Sequence, residues 1–339
     1  MRTFENQYRS RKRILMADRT AVYHVMSRTT CKAFLFGPEE KEVFSSLMLQ
    51  QARFAGIQLL SYCAMSNHVH LLLRVPLVES ISDTELILRY AEYYQNGKLP
   101  RSTYSVEELQ EILATGGPEA HAAKARILAR MGDLPAFMRE LKQRFSIWYN
   151  HKHQNHGTIW AARYKSLIVE DEPETLTRVA AYIDLNPVRA EIVDDPKDYR
   201  WCSYAAALAG NNLARNSLLL LFNGMRDWDT AIRSYRMILF GKGYNSKGTE
   251  HKDFGKISAE RLEEIIRLDG KVPLQELLRV RVRYFSDGLA LGSKAFVDGV
   301  FANNPSAFGN KRTHAGTALP ESTWGELQVI RNLKRRVYG

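Results

Sequence analysis

The segment "IQLLSYCAMSNHVHLLLRVP", residues 57–76, limits the fold more than any other stretch. Two runs rich in β-forming residues, 57–65 and 68–76, are separated only by Ser66-Asn67. So short a connection folds the chain back on itself and predicts an antiparallel hairpin. The flanking sequence supplies more of the same layer. "RTAVYHVMSR" (19–28) alternates and reads as a strand. "GPEEKEVFSSLMLQQARFAG" (37–56) opens on Pro38 and acids, shows helical apolar spacing and stops at Gly56, which predicts a helix.

Residues 77–133 break the rhythm with helix-like segments separated by Gly and Pro, and read as a helical insertion. "LPAFMRELKQRFSIWYNHKH" (134–153) is a long amphipathic helix, 158–170 a strand, and 171–185 a helix with Pro173 and acids in its first turn. Strand, helix, strand, strand, helix, strand is the ferredoxin-like split βαβ order. The expectation is an α+β fold, a four-stranded antiparallel sheet with helices on one face. Residues 1–210 are expected to form this domain, with the insertion between its third strand and second helix. Residues 211–339 read as a mostly helical C-terminal region.

The hairpin also carries a chemical signal. Side chains at i and i+2 of a strand face the same way, so His68 and His70 project together and Val69 projects oppositely. Two imidazoles so placed fit one divalent cation; they also fit a solvent-facing polar side with no metal. A second cluster, His151, His153 and His156, follows a helix in a polar stretch and reads as a solvated or phosphate-contacting loop. The strand is the better ligand platform because it is rigid.

The chain's net charge of +11 and pI near 9.5 favour polyanions, with nucleic acid first and an acidic membrane surface second. Three cysteines, none at CxxC spacing, argue against a disulfide framework and suit a reducing cytoplasm. The basic N-terminus has no apolar core of a secretory signal, and no run of about 18 apolar residues predicts a membrane span.

"YCAMSNHVHLLLRV" resembles the His-hydrophobic-His motif of the single-tyrosine HUH transposases. "GTIWAARYKSLIVEDEPETLTRVAAYIDLNPVRAEIV…DPKDYRWCSYAAALAG" resembles the second half of their REP-associated tyrosine transposase branch. The two motifs stand in the expected order and, insertion apart, cover about residues 18–210. The resemblance implies that His68 and His70 are metal ligands and that Tyr182 is the nucleophile; mixed imidazole and oxygen ligands suit Mg²⁺ or Mn²⁺, with zinc as the alternative. Asn186 stands where related enzymes place a third ligand. It further implies a metal-dependent endonuclease and transposase acting on single-stranded DNA near hairpins, through a 5′-phosphotyrosine. Residue chemistry alone does not single out Tyr182 among 16 tyrosines; Tyr164, Tyr199 and Tyr204 are rivals. Pro187 disfavours helical geometry at Asn186, which then ends one helix or caps the next.

Candidate DNA contacts are Arg11, Lys12, Arg13 and Arg19 in an N-terminal arm, and Arg163 and Lys165 on the strand leading to Tyr182. Trp160 and Tyr164 are candidates to stack on unpaired bases, with core packing as the alternative. Residues 273–301 resemble a helix-turn-helix in which Arg279, Arg281 and Arg283 precede the turn and Ser293 caps the second helix. A non-catalytic, domesticated nucleic-acid binder is the second functional expectation. A two-histidine phosphoesterase is the third, and fits least because the central strand carries His-x-His rather than a His-x-Ser/Thr motif. A monomer suffices if Tyr182 serves its own histidines; a homodimer is required if it serves a partner's.

Overall fold

A computed structural model describes residues 13–16, 18–77, 81–94, 104–240, 259–268, 273–280, 282–308, 315–319, 325–331 and 337. The first strands and helices fall close to where the sequence places them: β1 (Ala21–Arg28), α1 (Pro38–Ala55), β2 (Gln58–Ala64) and β3 (His68–Val75). Pro38 and two glutamates start α1, where the open N–H groups favour acids. Gly56 ends it in the left-handed region at φ 67°, with its N–H returned to Ala52 and Arg53. β2 and β3 form the expected hairpin, with a bulge between Leu59 and Ser61.

The insertion contains α2 (Asp83–Tyr94), α3 (Val106–Ala114) and α4 (Pro118–Leu128). These helices share a small core of Leu86, Tyr90, Leu109 and Ile127 with Phe54 of α1. A half-buried polar knot fastens them to the domain: Arg130 pairs with Glu140, which also accepts from Tyr93 and Gln51.

α5 (Leu134–His153) follows, then β4 (Lys165–Val169) and α6 (Pro173–Asp184). β4 is shorter than the predicted 158–170 strand. Residues 158–164 instead run irregularly, tied to the end of β1 by Thr30 N–H to Ile159 O and Ala161 N–H to Arg28 O. His151 and His153 lie in the last turn of α5 rather than in a loop, and His153 contacts Glu40.

The four strands stand in the order β2-β3-β1-β4, all antiparallel, as the split βαβ reading requires. Two expectations are corrected. Among the described residues the sheet has seven strands, because β4 pairs in parallel with β5 (Gly288–Gly292), followed by β7 (Gln328–Arg331) and β6 (Thr317–Ala318). Helices also cover both faces. Tyr23, Val25, Leu71, Leu73 and Ile168 pack on α1 and α5. Val22, Leu72, Leu167 and Val169 point oppositely, onto α6 and the helices that follow.

Those helices are α7 (Asn186–Arg189), α8 (Ser203–Leu208), α9 (Asn212–Leu220), α10 (Trp228–Phe240), α11 (Ala259–Arg267), α12 (Leu274–Arg279) and α13 (Tyr284–Asp287). α14 (Lys294–Asn303) comes after β5, and Ser293 caps it as expected by accepting from Phe296 N–H. The segment expected to be the turn of a helix-turn-helix is therefore a buried sheet strand. Its flanking glycines are there for close approach. A Cβ on Gly288 would meet Leu167, Tyr284 O and Val329 at 2.9 Å, and one on Gly292 would meet Glu170 at 2.6 Å. Among the described residues, no helix is long and apolar enough to cross a membrane.

Candidate active site

His68 and His70 lie on the face of β3 turned toward α6, as strand periodicity predicts, and their ring centroids are 5.1 Å apart. His70 is 4% exposed. The turn before them holds His68: its Nδ1 lies 2.6 Å from Asn67 Oδ1, and Asn67 Nδ2 donates to Lys32 O. That donation fixes which end of the Asn67 amide faces the ring. His68 thus carries its proton on Nδ1, and in the neutral ring Nε2 is the unprotonated nitrogen.

The structure adds a third histidine that sequence reading missed. His24, fully buried on β1, places Nε2 2.8 Å from His70 Nδ1 and Nδ1 2.8 Å from the carbonyl of Phe285. Burial pushes the His24 imidazolium down to about 4, against the opposing pull of the Phe285 carbonyl. Burial also pushes His70 well down, helped by His24, His68 and the cationic Arg189 and Arg28. Both rings are neutral at pH 7. In β1 the sequence signal for His24 is one polar residue inside the otherwise apolar and aromatic run Ala21–Met26. Only the register, which sets Met26 opposite His70 and His24 opposite Leu72, makes the two histidines diagonal neighbours on one face.

α6 brings Tyr182 to the same place. Its ring centroid is 6.3 Å from that of His70 and 6.2 Å from that of His24. Phe285 stacks on Tyr182 at 4.6 Å, and the Arg189 guanidinium lies 4.0 Å from the Tyr182 centroid. The rival tyrosines serve elsewhere. Tyr199 donates to Ala64 O, Tyr204 meets Arg236, and Tyr164 lies under Arg13.

Asn186 opens α7 and is 8% exposed. Pro187 has no N–H to return to Ile183 O, four residues back, and Asn186 Nδ2 takes that carbonyl at 2.9 Å. It also reaches Tyr182 O at 3.3 Å. The nitrogen of the amide is thus used by the backbone, and Oδ1 is the atom that remains suited to a cation. Two imidazole nitrogens with a supplementary amide oxygen form a donor set suited to a divalent cation. Among the described residues, no group of three His, Cys, Asp or Glu side chains is arranged to hold a metal.

The expected DNA contacts divide. Arg11, Lys12 and Arg281 lie outside the described residues. Arg163 and Lys165 are exposed, and Lys165 is 3.8 Å from Asp287. Arg19 is exposed beside Asp18. Arg13 stacks on Tyr164, and Arg283 faces Asp287 at 3.8 Å. Trp160 and Tyr164, expected either to stack on bases or to pack in the core, lie in the core. Each is less than a tenth exposed, and the Trp160 indole N–H donates to Ser146 Oγ and Lys142 O. All three cysteines are free thiols.

Residues 19–92 match the model of the family described as "Transposase IS200 like". The matched span contains His24, His68 and His70 and ends before Tyr182. A solved structure of a REP-associated tyrosine transposase bound to a REP hairpin is similar over 73% of this chain and 99% of that chain, at 11% identity and a TM-score of 0.37. No curated protein matches the chain.

Proposed function

We propose, from the IS200-like transposase match over residues 19–92, that this chain cleaves and rejoins single-stranded DNA near hairpins, with Tyr182 as nucleophile. The observation that carries the reading is the convergence of His68, His70 and Tyr182, from β3 and α6, on one face of the sheet. The strand order explains this. β3 is an inner strand, and α6 crosses the face opposite α1 and α5.

His68 and His70 would hold a divalent cation through their Nε2 atoms, with Asn186 Oδ1 as a further donor. The cation would polarise the scissile phosphate and orient the leaving oxygen. The chain's own part is nucleophilic. The Tyr182 Oη–P bond forms, the P–O3′ bond breaks, and the proton given up by Tyr182 is balanced by the one gained at the freed 3′-hydroxyl. The phosphoester remains in the 5′-phosphotyrosine, so another 3′-hydroxyl can attack it and join new ends without a nucleotide cofactor.

The test is a covalent-adduct assay with hairpin oligonucleotides in Mg²⁺ or Mn²⁺. Wild type should form a protein–DNA adduct, and Tyr182→Phe should bind the same hairpin and form none. An adduct in Tyr182→Phe would remove Tyr182 from the role. One observation favours the second reading, a non-catalytic binder: Tyr182 is only 3% exposed. Hairpin binding with no adduct in any divalent metal would establish that reading instead.

A further inference from the structure

We infer that His24 is a positioning residue that sets the tautomer of His70 and takes its own orientation from the main-chain carbonyl of Phe285. The inference rests on the cation-site reading only for its consequence; the hydrogen-bond chain stands without it.

The Phe285 oxygen can only accept a hydrogen bond. His24 Nδ1, at 2.8 Å, must therefore donate to it. A neutral imidazole has one N–H, so His24 Nε2 carries a lone pair. Its neighbour at 2.8 Å is His70 Nδ1, which must then donate. The His70 proton is thereby committed to Nδ1, and Nε2 carries the lone pair. A histidine ligand depends on this kind of outer partner, which holds the ring and selects the nitrogen presented to the cation. His24 is not itself a ligand, because a carbonyl and a second imidazole occupy its two nitrogens.

The three members come from distant parts of the chain: β1, β3 and α13. Phe285 belongs to the segment that enters β5, and β5 is bonded to β4. The C-terminal region thus completes the candidate active site from behind, through a backbone oxygen. This is a different contribution from DNA reading by a helix-turn-helix.

The test uses the full chain and two substitutions. His24→Leu removes both bonds. His24→Gln keeps an acceptor and a donor at a spacing close to that of the imidazole nitrogens. Two-bond ¹⁵N–¹H spectra of ¹⁵N-histidine protein report each tautomer, and electron paramagnetic resonance of free Mn²⁺ reports binding. The expected result is an Nδ1–H tautomer for His70 in wild type and in His24→Gln. His24→Leu should lose it and bind Mn²⁺ about 10–100-fold more weakly, with His24→Gln restoring most of the affinity. A folded His24→Leu protein with wild-type tautomer and Mn²⁺ affinity would overturn the inference. If His24→Leu does not fold, the wild-type spectrum decides, because an Nε2–H His70 there overturns it equally. A wild-type chain that takes up no Mn²⁺, yet whose His70 tautomer changes in His24→Leu, supports the role of His24 and removes the cation-site reading.

Discussion

Tyr182 and Phe285 stack with centroids 4.6 Å apart and planes 28° from parallel. One ring comes from α6 in the predicted catalytic domain and the other from the C-terminal region. Together with Arg189 over the same ring, the stack accounts for a tyrosine that is only 3% exposed. A scissile phosphate reaches such a side chain only when part of its cover moves. Phe285→Leu keeps apolar volume but removes the aromatic stack, at a cost of about 1–2 kcal/mol. The substitution should make Tyr182 nitrate faster with tetranitromethane, followed by mass spectrometry of its peptide. An unchanged rate in a folded variant would mean that Phe285 does not control access.

Asn186 gives a second prediction. Its Nδ2 stands in for the N–H that Pro187 lacks and holds the junction between α6 and α7. Asn186→Asp replaces that donor by an oxygen facing the carbonyls of Tyr182 and Ile183. The metal-free variant should lose about 1–3 kcal/mol in a urea titration, the cost of unsatisfied buried polar groups. Stability equal to wild type would show that the junction does not depend on the amide.

The parts of the fold legible in the sequence are those fixed by local periodicity and punctuation. Pro38, Gly56, Ser66-Asn67 and Pro173 mark element ends because each acts on its own backbone, and the split βαβ order followed from them. His68 and His70 were legible because i and i+2 share a face within one strand. His24 was not, since its significance depends on cross-strand register and on a carbonyl 261 residues away. β5 was missed for a related reason. Gly288 and Gly292 suggest a turn when read locally, but a Cβ on Gly288 would meet Leu167 of β4 and Val329 of β7, and one on Gly292 would meet Glu170 and Phe296 of α14. Trp160 and Tyr164 looked like base-stacking candidates because composition does not reveal which aromatic rings the core claims.

Asp184, two residues beyond Tyr182, leads to a pH prediction. Burial pushes its carboxyl up to about 7, outweighing the Tyr235 hydroxyl, the Tyr204 N–H and the Ser203 hydroxyl, which favour the charged form. Between the ordinary value of 3.8 and about 7, the folded chain keeps a proton there that the unfolded chain has released. This contribution to stability is full below the ordinary value and is lost as pH rises through about 7, by on the order of 4 kcal/mol in all. Asp184→Asn has no such titration. Its Oδ1 can accept from Tyr204 and Ser203 while Nδ2 donates to the Tyr235 oxygen. Urea midpoints at pH 5 and pH 8 should fall less between the two for Asp184→Asn than for wild type. Parallel pH slopes would show that Asp184 is already charged at pH 5.

The last prediction concerns which chain supplies the nucleophile. Tyr182 lies beside the histidines of its own chain, with 6.3 Å between ring centroids at His70. The contacts that hold it are also internal: Arg189 Nη2 donates to Tyr182 O at 2.6 Å, Nη1 donates to Leu278 O at 2.6 Å, and Phe285 lies on the ring. A tyrosine donated to a partner would have to leave the Phe285 stack and, if α7 moved with α6, the charge-assisted hydrogen bond from Arg189 to Leu278 O, worth about 1.5–3 kcal/mol. The arrangement therefore predicts use of Tyr182 within one chain. Mixing His68→Ala protein with Tyr182→Phe protein should give no adduct on a hairpin oligonucleotide, because neither chain has a complete site. Adduct formation in the mixture, on the His68→Ala chain that alone retains Tyr182, would show that the nucleophile serves the histidines of a second copy and that the enzyme works as a dimer.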